Sequence, residues 1–306
     1  MAAKTFLSVG ECMIEMAQQD SGDWRMGFAG DTLNTAWYAR ACLPEETWRV
    51  SYFTRLGVDG FSDRILAFLD RNGIGTDTIG RDAERKPGLY LIEVKDGERS
   101  FTYWRDRSAA KLLADDPERL REAVGGADVV YFSGITLAIL APDRRDAFLD
   151  CMRDARRAGT LTVFDPNIRR QLWASADELR AALTAAAGAA AVTLPSFDDE
   201  QAAFGDVDPE ACALRYREAG SDEVVVKNAG GPVAASAGSE MLFVSDLPRF
   251  TPLDSTGAGD SFSGAYLAAR LGGKDIEAAV RAAHDVAGIV IRHRGALVDQ
   301  SEFGKI

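Results

Sequence analysis

The chain has 306 residues, a formal net charge of −12, and a composition that is 46% hydrophobic and 27% charged. So acidic a protein argues against nucleic acid or an anionic membrane as a partner held by a basic surface. Two histidines and four scattered cysteines (Cys12, Cys42, Cys151, Cys212), with no C-x-x-C pair, argue against a zinc site and point to reduced thiols in a cytoplasmic protein.

Thr5–Val9 predicts a short apolar strand, and Lys4 and Glu11 bring charge too early for a signal peptide. Between Met16 and Phe28, the residues Asp20, Gly22, Asp23 and Gly27 predict a loop or a small hairpin. Gly30 then precedes a helical pattern through Trp37, Ala41 and Cys42, with Asp31 in the cap position. Val50–Thr54 predicts a strand, and Gly57 to Gly60 turn it into a helix that runs through Leu69. Gly88–Val94 and Ser100–Trp104 flank Asp96-Gly97, a strong hairpin signal. Alternation puts Tyr90, Ile92, Phe101, Tyr103 and Arg105 on one face of that hairpin. Such a face either packs on the core or covers a polar ligand. The charges of Arg105, Asp106 and Arg107 at its root favour the cover.

From residue 128 onward strands and helices alternate. Strands are expected at Asp128–Phe132, Thr160–Phe164, Ala190–Leu194 and Glu223–Val226, with a hairpin of Val233–Ser236 and Met241–Val244. Helices are expected at Pro142–Ala158, Ala176–Ala187, Phe197–Phe204, Pro209–Ala219, Gly259–Leu271 and Ile276–Ile291. The longest uncharged run, Ala181 to Phe197, is broken by Gly188 and Pro195. It reads as a helix end followed by a buried strand, not as a membrane span. The alternation predicts one α/β domain over residues 1–306, with a mostly parallel central sheet covered by helices on both faces. A small β-rich lid from segments 12–28 and 88–107 completes it.

In open α/β sheets ligands sit beyond the carboxyl ends of the strands. Six polar clusters fall at such ends: Gly10-Glu11, Gly30–Asn34, Asp165–Arg169, Ser196–Asp199, Lys227-Asn228, and Asp254-Ser255-Thr256-Gly257-Ala258-Gly259-Asp260. The last is the most informative. Gly257 and Gly259 around Ala258 let the backbone approach a ligand and align its N–H groups, and the helix behind adds its positive end. The site suits an anion, and Asp260 beside it is either a first-turn helix residue or a carboxylate with its own task. Taken together, the six clusters predict a polar, phosphate-bearing ligand.

At this point the sequence resembles the ribokinase-like (PfkB) family of carbohydrate kinases. The resemblance is carried by Ala29-Gly30-Asp31-Thr32-Leu33-Asn34-Thr35-Ala36 and by Asp254 to Phe262. It extends through Leu56-Gly57-Val58-Asp59, Asp165-Pro166-Asn167, Val225-Val226-Lys227 and Arg294-Gly295-Ala296. Within the family, Gly88-Leu89-Tyr90, Phe101 to Arg105 with Ser108-Ala109-Ala110, and Asp165 to Arg169 look like 2-keto-3-deoxygluconate kinases; fructokinases share an element similar to the last. The resemblance implies a ribokinase-like fold and ATP-dependent phosphorylation of the 6-hydroxyl of 2-keto-3-deoxy-D-gluconate, with Mg2+ on the ATP phosphates. Fructose or another sugar is the alternative acceptor, and a non-catalytic sugar or nucleotide sensor is the alternative of another class.

It further implies roles for single residues. Asp260 is the base, kept ionised by its helix dipole, and the N–H groups of Gly257, Ala258 and Gly259 hold the transferring phosphoryl group. Gly30, Asp31 and Asn34 hold sugar hydroxyls, Tyr90 and Tyr103 line the lid side, and Arg105 and Arg169 meet the sugar carboxylate. Arg170 is the alternative to Arg169. Ser196, Lys227, Asn228, Gly230, Gly257 and Gly259 face the nucleotide. Three positions depart from the family pattern. Ser196-Phe197-Asp198-Asp199 stands where Asn-x-x-Glu is usual, leaving Asp199 or Glu200 as the carboxylate near magnesium. His284 stands where many members have Asn near the adenine, as a nucleotide contact or a packed helix residue. Ala29 replaces the first glycine of the usual pair. A homo-oligomer paired through its lids is the family expectation.

Overall fold

The computed structural model describes residues 3–19, 21–95 and 98–306, so the Asp96-Gly97 turn lies outside the described residues. Nine strands form the central sheet. Their order runs from Glu240–Val244 through Val233–Ala237, Glu223–Val226, Val192–Thr193, Leu161–Asp165, Val129–Ser133, Lys4–Val9 and Trp48–Phe53 to Ile74–Gly75. Neighbours are parallel except for the Val233–Ala237 and Glu240–Val244 strands at one edge, as the hairpin expectation required.

The inner strands are mostly apolar and buried because helices cover both faces. Period-two alternation sends adjacent residues to opposite sides. Phe6 joins the core shared by helices Asp31–Cys42, Ala258–Leu271 and Ile276–Val290, while Leu7 joins that of Pro142–Ala158 and Ala176–Ala189. Within the first layer, helices Asp31–Cys42 and Ala258–Leu271 pack closely at Gly264. A Cβ there would lie 2.7 Å from the Thr35 carbonyl oxygen and 2.9 Å from the Ala39 nitrogen. This contact draws the N-terminal ends of the two helices together and so decides which residues meet.

The lid is a separate four-stranded sheet. Met13–Gln18 pairs antiparallel with Trp24–Ala29 and parallel with Leu89–Lys95, which pairs antiparallel with Glu98–Trp104. The Met16–Phe28 stretch is therefore a hairpin and not an open loop. Two helices escape the sequence pattern. Pro117–Gly125 is announced only by its Asp116 cap and first-turn proline, and Gly134–Ile139 continues an apolar strand with no change of composition. Asp31 is the first residue of its helix and not the cap; Gly30 holds that position, without a side-chain hydrogen bond.

Candidate active site

Gly257 caps the Ala258–Leu271 helix with a φ of 79°, in the left-handed region that disfavours side chains. A Cβ would also stand 2.7 Å from the Ala296 carbonyl oxygen, so glycine is required twice over. The Asp254 carboxylate braces this turn: it accepts from the Thr256 nitrogen (2.9 Å), the Thr256 hydroxyl (2.7 Å) and the Gly295 nitrogen (2.6 Å). Ala258 and Gly259 of the helix's first turn line the cleft, the Ala258 N–H donating to the Ser255 carbonyl at 3.2 Å, and the start of this 14-residue helix is an anion-binding end.

Asp260 lies in the first turn of this helix, half-buried, and its Oδ2 accepts from Asn34 Nδ2 at 2.7 Å. On the facing helix Asp31 Oδ2 accepts from Asn167 Nδ2 at 2.9 Å. Gly30 makes this approach feasible, since a Cβ would fall 2.2 Å from the Glu11 carbonyl oxygen. Burial, then the Asp31 carboxylate, push the Asp260 carboxyl from 3.8 up to about 7; the Asn34 hydrogen bond opposes the rise, Asp165 adds to it and Lys227 counters it. The expectation that the helix end keeps Asp260 an ordinary ionised carboxylate is thus corrected. Desolvation and the facing acid outweigh it and make a stronger base.

Asp165 and Lys227 form a buried ion pair behind this turn, Nζ to Oδ2 at 2.6 Å. Ser263, one turn beyond Asp260, donates to the same oxygen at 3.0 Å and accepts from Lys227 at 3.3 Å, and the Tyr131 hydroxyl donates at 3.3 Å. Lys227 also lines a cleft of 490 Å³ that runs past Ser196, Asp199, Asn228, Gly230 and Gly259 to an apolar slot of Val233, Phe250, Phe262 and Ile291. His284 lines the slot too. Its Nε2 is 2.7 Å from the Pro248 carbonyl oxygen, so this nitrogen carries the proton. Gly288 lets the Phe250 ring lie against the helix, where a Cβ would be 2.2 Å from a ring carbon. Of the residues expected from sequence to face a nucleotide, Ser196, Lys227, Asn228, Gly230, Gly259 and His284 line this cleft, and Gly257 does not.

The two candidate carboxylates near magnesium separate cleanly. Asp199 stands on the cleft wall, its carboxyl raised by burial against the opposing charge of Arg169. Glu200 points away into a buried cluster with Arg215 and Tyr216 and is no candidate for that role. Among the described residues, the one group of three donors close enough for a metal is Glu200, Asp206 and Cys212, and Arg215 occupies it.

The lid residues depart from expectation. Tyr90 and Tyr103 stack at 5.7 Å, but the buried Tyr90 hydroxyl is taken by Glu15, and Tyr103 is half exposed. Arg105 does not stand open to a carboxylate: its guanidinium is paired with Glu11, whose side chain is 1% exposed. Arg169 is 43% exposed, hydrogen-bonded to the Ile168 carbonyl oxygen and 3.9 Å from Asp199. The Glu11 pairing, made across 94 positions, leaves no mark in the sequence, and the one mark of Ser263 is its helical spacing from Asp260.

A raised carboxyl in the first turn of a helix whose start lines a cleft with an apolar end is a setting that suits an anionic ligand. A model of pfkB family carbohydrate kinases matches residues 3–302, and the chain belongs to that family, a family of phosphotransferases. The 2-dehydro-3-deoxygluconokinase of Dickeya dadantii is 37% identical over 304 residues, covering 97% of this chain and 98% of that protein. A probable fructokinase-4 of Arabidopsis thaliana is 30% identical over 72% of this chain and 67% of its own. Among solved structures, a PfkB protein from Polaromonas sp. JS666 superposes with a TM-score of 0.81 at 26% identity, covering 98% of this chain and 99% of that one.

Proposed function

We propose that this kinase transfers the γ-phosphoryl group of ATP to the 6-hydroxyl of 2-keto-3-deoxy-D-gluconate. The observation that carries the reading is Asp260: a carboxyl raised to about 7, one helical turn from the Gly257 cap and bonded to Asn34 of the facing helix. In the reaction Asp260 takes the proton of the sugar hydroxyl as its oxygen bonds to phosphorus. The bond from phosphorus to the ADP oxygen breaks. The N–H groups of Gly257 and Gly259, and that of Ala258 once it leaves the Ser255 carbonyl, receive the charge on the phosphoryl oxygens.

The cleft wall fits a magnesium ion held largely by phosphates and water. Such an ion needs only one or two protein carboxylates, and Asp199 is half exposed at the right wall. Bound there, it would neutralise phosphate charge. The apolar slot beside Phe250 and His284 suits the base of ATP, and Ser196, Asn228 and Gly230 line the passage to it. Gly30, Asp31 and Asn34 remain the proposed contacts to sugar hydroxyls, under the Tyr90–Tyr103 face of the lid. Arg169 is the proposed partner of the sugar carboxylate, since Arg105 is already neutralised by Glu11.

That neutralisation also favours a second reading, a sugar without a carboxylate such as fructose. A coupled ADP-release assay across 2-keto-3-deoxygluconate, its galactonate epimer, fructose and ribose separates the two. Turnover of the acid sugar with the highest kcat/KM supports the proposal, and preferred turnover of fructose replaces it. We also propose a homo-oligomer paired through the exposed Phe101, Tyr103 and Trp104 of the lid, which sedimentation at graded concentration tests.

A further inference from the structure

The backbone of Lys227 is fixed on both sides: its N–H donates to the Pro195 carbonyl and its carbonyl accepts from Phe197, each at 2.8 Å. Its side chain is not fixed by this, because a four-carbon stem leaves the ammonium many positions. What holds the ammonium is Asp165 at 2.6 Å and the Ser263 hydroxyl at 3.3 Å. Of its three N–H groups two are engaged, and the third has no acceptor among the described residues. The ammonium lies 3.6 Å from where a Cβ on Gly259 would be, beside the cradle and on the cleft.

Asp165 is equally constrained. Its Oδ2 accepts from Lys227, Ser263 and Tyr131, and its Oδ1 from the Asn167 backbone at 3.1 Å. Ser263 sits on the helix that carries Asp260, so one rigid element sets both the base and the hydroxyl that steadies the cation.

We propose that Asp165 and Ser263 are positioning residues for Lys227. They hold its ammonium at the Gly257–Gly259 turn so that its remaining N–H meets an oxygen of the γ-phosphoryl group as charge shifts during transfer. This rests on the kinase reading above. A buried ion pair that served only the fold would instead affect stability and leave the chemical step alone.

A double-mutant cycle tests it. Asp165→Asn removes the charge and keeps one of the two acceptor oxygens; we expect kcat to fall about tenfold to a hundredfold, by analogy with losing one preorganised contact, with the sugar KM changed less than about threefold. Ser263→Ala is expected to lose less. Because both act through Lys227, Asp165→Asn and Ser263→Ala together lose no more than Asp165→Asn alone, and Asp165→Asn added to Lys227→Met costs nothing further. The last pair removes both buried charges, and kcat is compared per folded molecule so that any stability loss of Lys227→Met alone is kept apart from the chemical step. Calorimetry adds a readout without turnover: Asp165→Asn weakens ATP more than ADP, by at least about fivefold in the ratio of affinities. Multiplicative losses in the serine–aspartate pair, a loss confined to sugar KM, or an unchanged ATP-to-ADP ratio overturns the inference. No phosphoryl transfer by the unaltered protein from ATP to any sugar overturns the kinase reading instead.

Discussion

Two groups of carboxylates in this chain each contain one carboxyl pushed up to about 7, and they are built differently. Glu200 is fully buried, and burial raises it against the charge and hydrogen bonds of Arg215 and Tyr216. Arg215 donates to Glu200 at 2.8 Å and to both oxygens of Asp206, and its guanidinium lies 3.7 Å from the centre of the Phe204 ring. The group sits behind the Phe197–Phe204 helix and has its own cation. Asp260 is raised by burial too, but with Asp31 and Asp165 as like charges and only Lys227 and Asn34 in opposition. Its cluster holds three carboxyls against one cation, and that cation, Lys227, lines the cleft. The same shift therefore arises in different settings: one belongs to an internal brace, the other to the carboxyl proposed above as the base. Geometry and access decide between them.

The sharpest way to break the comparison is to neutralise each acid centre. Asp260→Asn is expected to lower kcat by about 10²- to 10⁴-fold, the usual worth of a positioned general base. Its stability should move the other way. A carboxyl whose folded value lies above its unfolded one binds its proton more tightly when folded, so wild-type stability falls as pH rises from about 4 to about 7. The asparagine variant escapes that loss. Its melting temperature should match wild type near pH 4 and exceed it above pH 7, read by thermal scans across that range. A variant that kept substantial kcat would remove Asp260 from the mechanism.

Arg215→Met should do the reverse. It strands Glu200 and Asp206 without their cation, and breaking a buried pair from one side costs about 3 kcal/mol or more. Denaturant titration should show that loss, while kcat of the folded fraction stays within about twofold because nothing in this cluster faces the cleft. A large fall in kcat per folded molecule would mean that the Phe197–Phe204 helix transmits its position to Asp199.

A smaller effect separates the two carboxyls by pH. The kcat/KM of the free enzyme should fall about tenfold per pH unit below pH 7 as Asp260 takes its proton. Because Glu200 titrates in the same region, the assignment needs a control. Asp31→Asn removes the largest like charge on Asp260, so the acid limb should move to lower pH. Glu200→Gln should leave the limb where it is.

Parts of this layout were legible in the sequence because their causes are local. The turn at Gly257, the helix start after Gly30, the buried inner strands and the aromatic lid hairpin all follow from residues within a few positions of one another. What stayed hidden depends on partners brought together by the fold. Arg105 looked available until the structure set Glu11 against it, and Asp260 looked ordinary until Gly264 let two helices bring Asp31 near. The slot wall at Pro248 and Phe250 lies in an irregular stretch with no periodicity to read. Asp254, by contrast, turned out to be the brace of its own turn.

The mildest prediction concerns the second arginine of the comparison. Arg215 is locked on two carboxylates and two rings, whereas Arg169 is 43% exposed and touches Asp199 only at 3.9 Å. A guanidinium held so loosely gives up little when a ligand carboxylate replaces its partner, and the planar fork can take that carboxylate with two hydrogen bonds. Arg169→Ala should therefore raise the KM for 2-keto-3-deoxygluconate about tenfold with kcat nearly unchanged, the signature of lost uniform binding. The decisive control is a neutral sugar. If the KM for fructose rises by the same factor, Arg169 is shaping the cleft through Asp199, and the acid group of the substrate is read elsewhere. If fructose is indifferent while the acid sugar weakens, the loosely held arginine is the one that reads the charge, and the fully satisfied one serves only the fold.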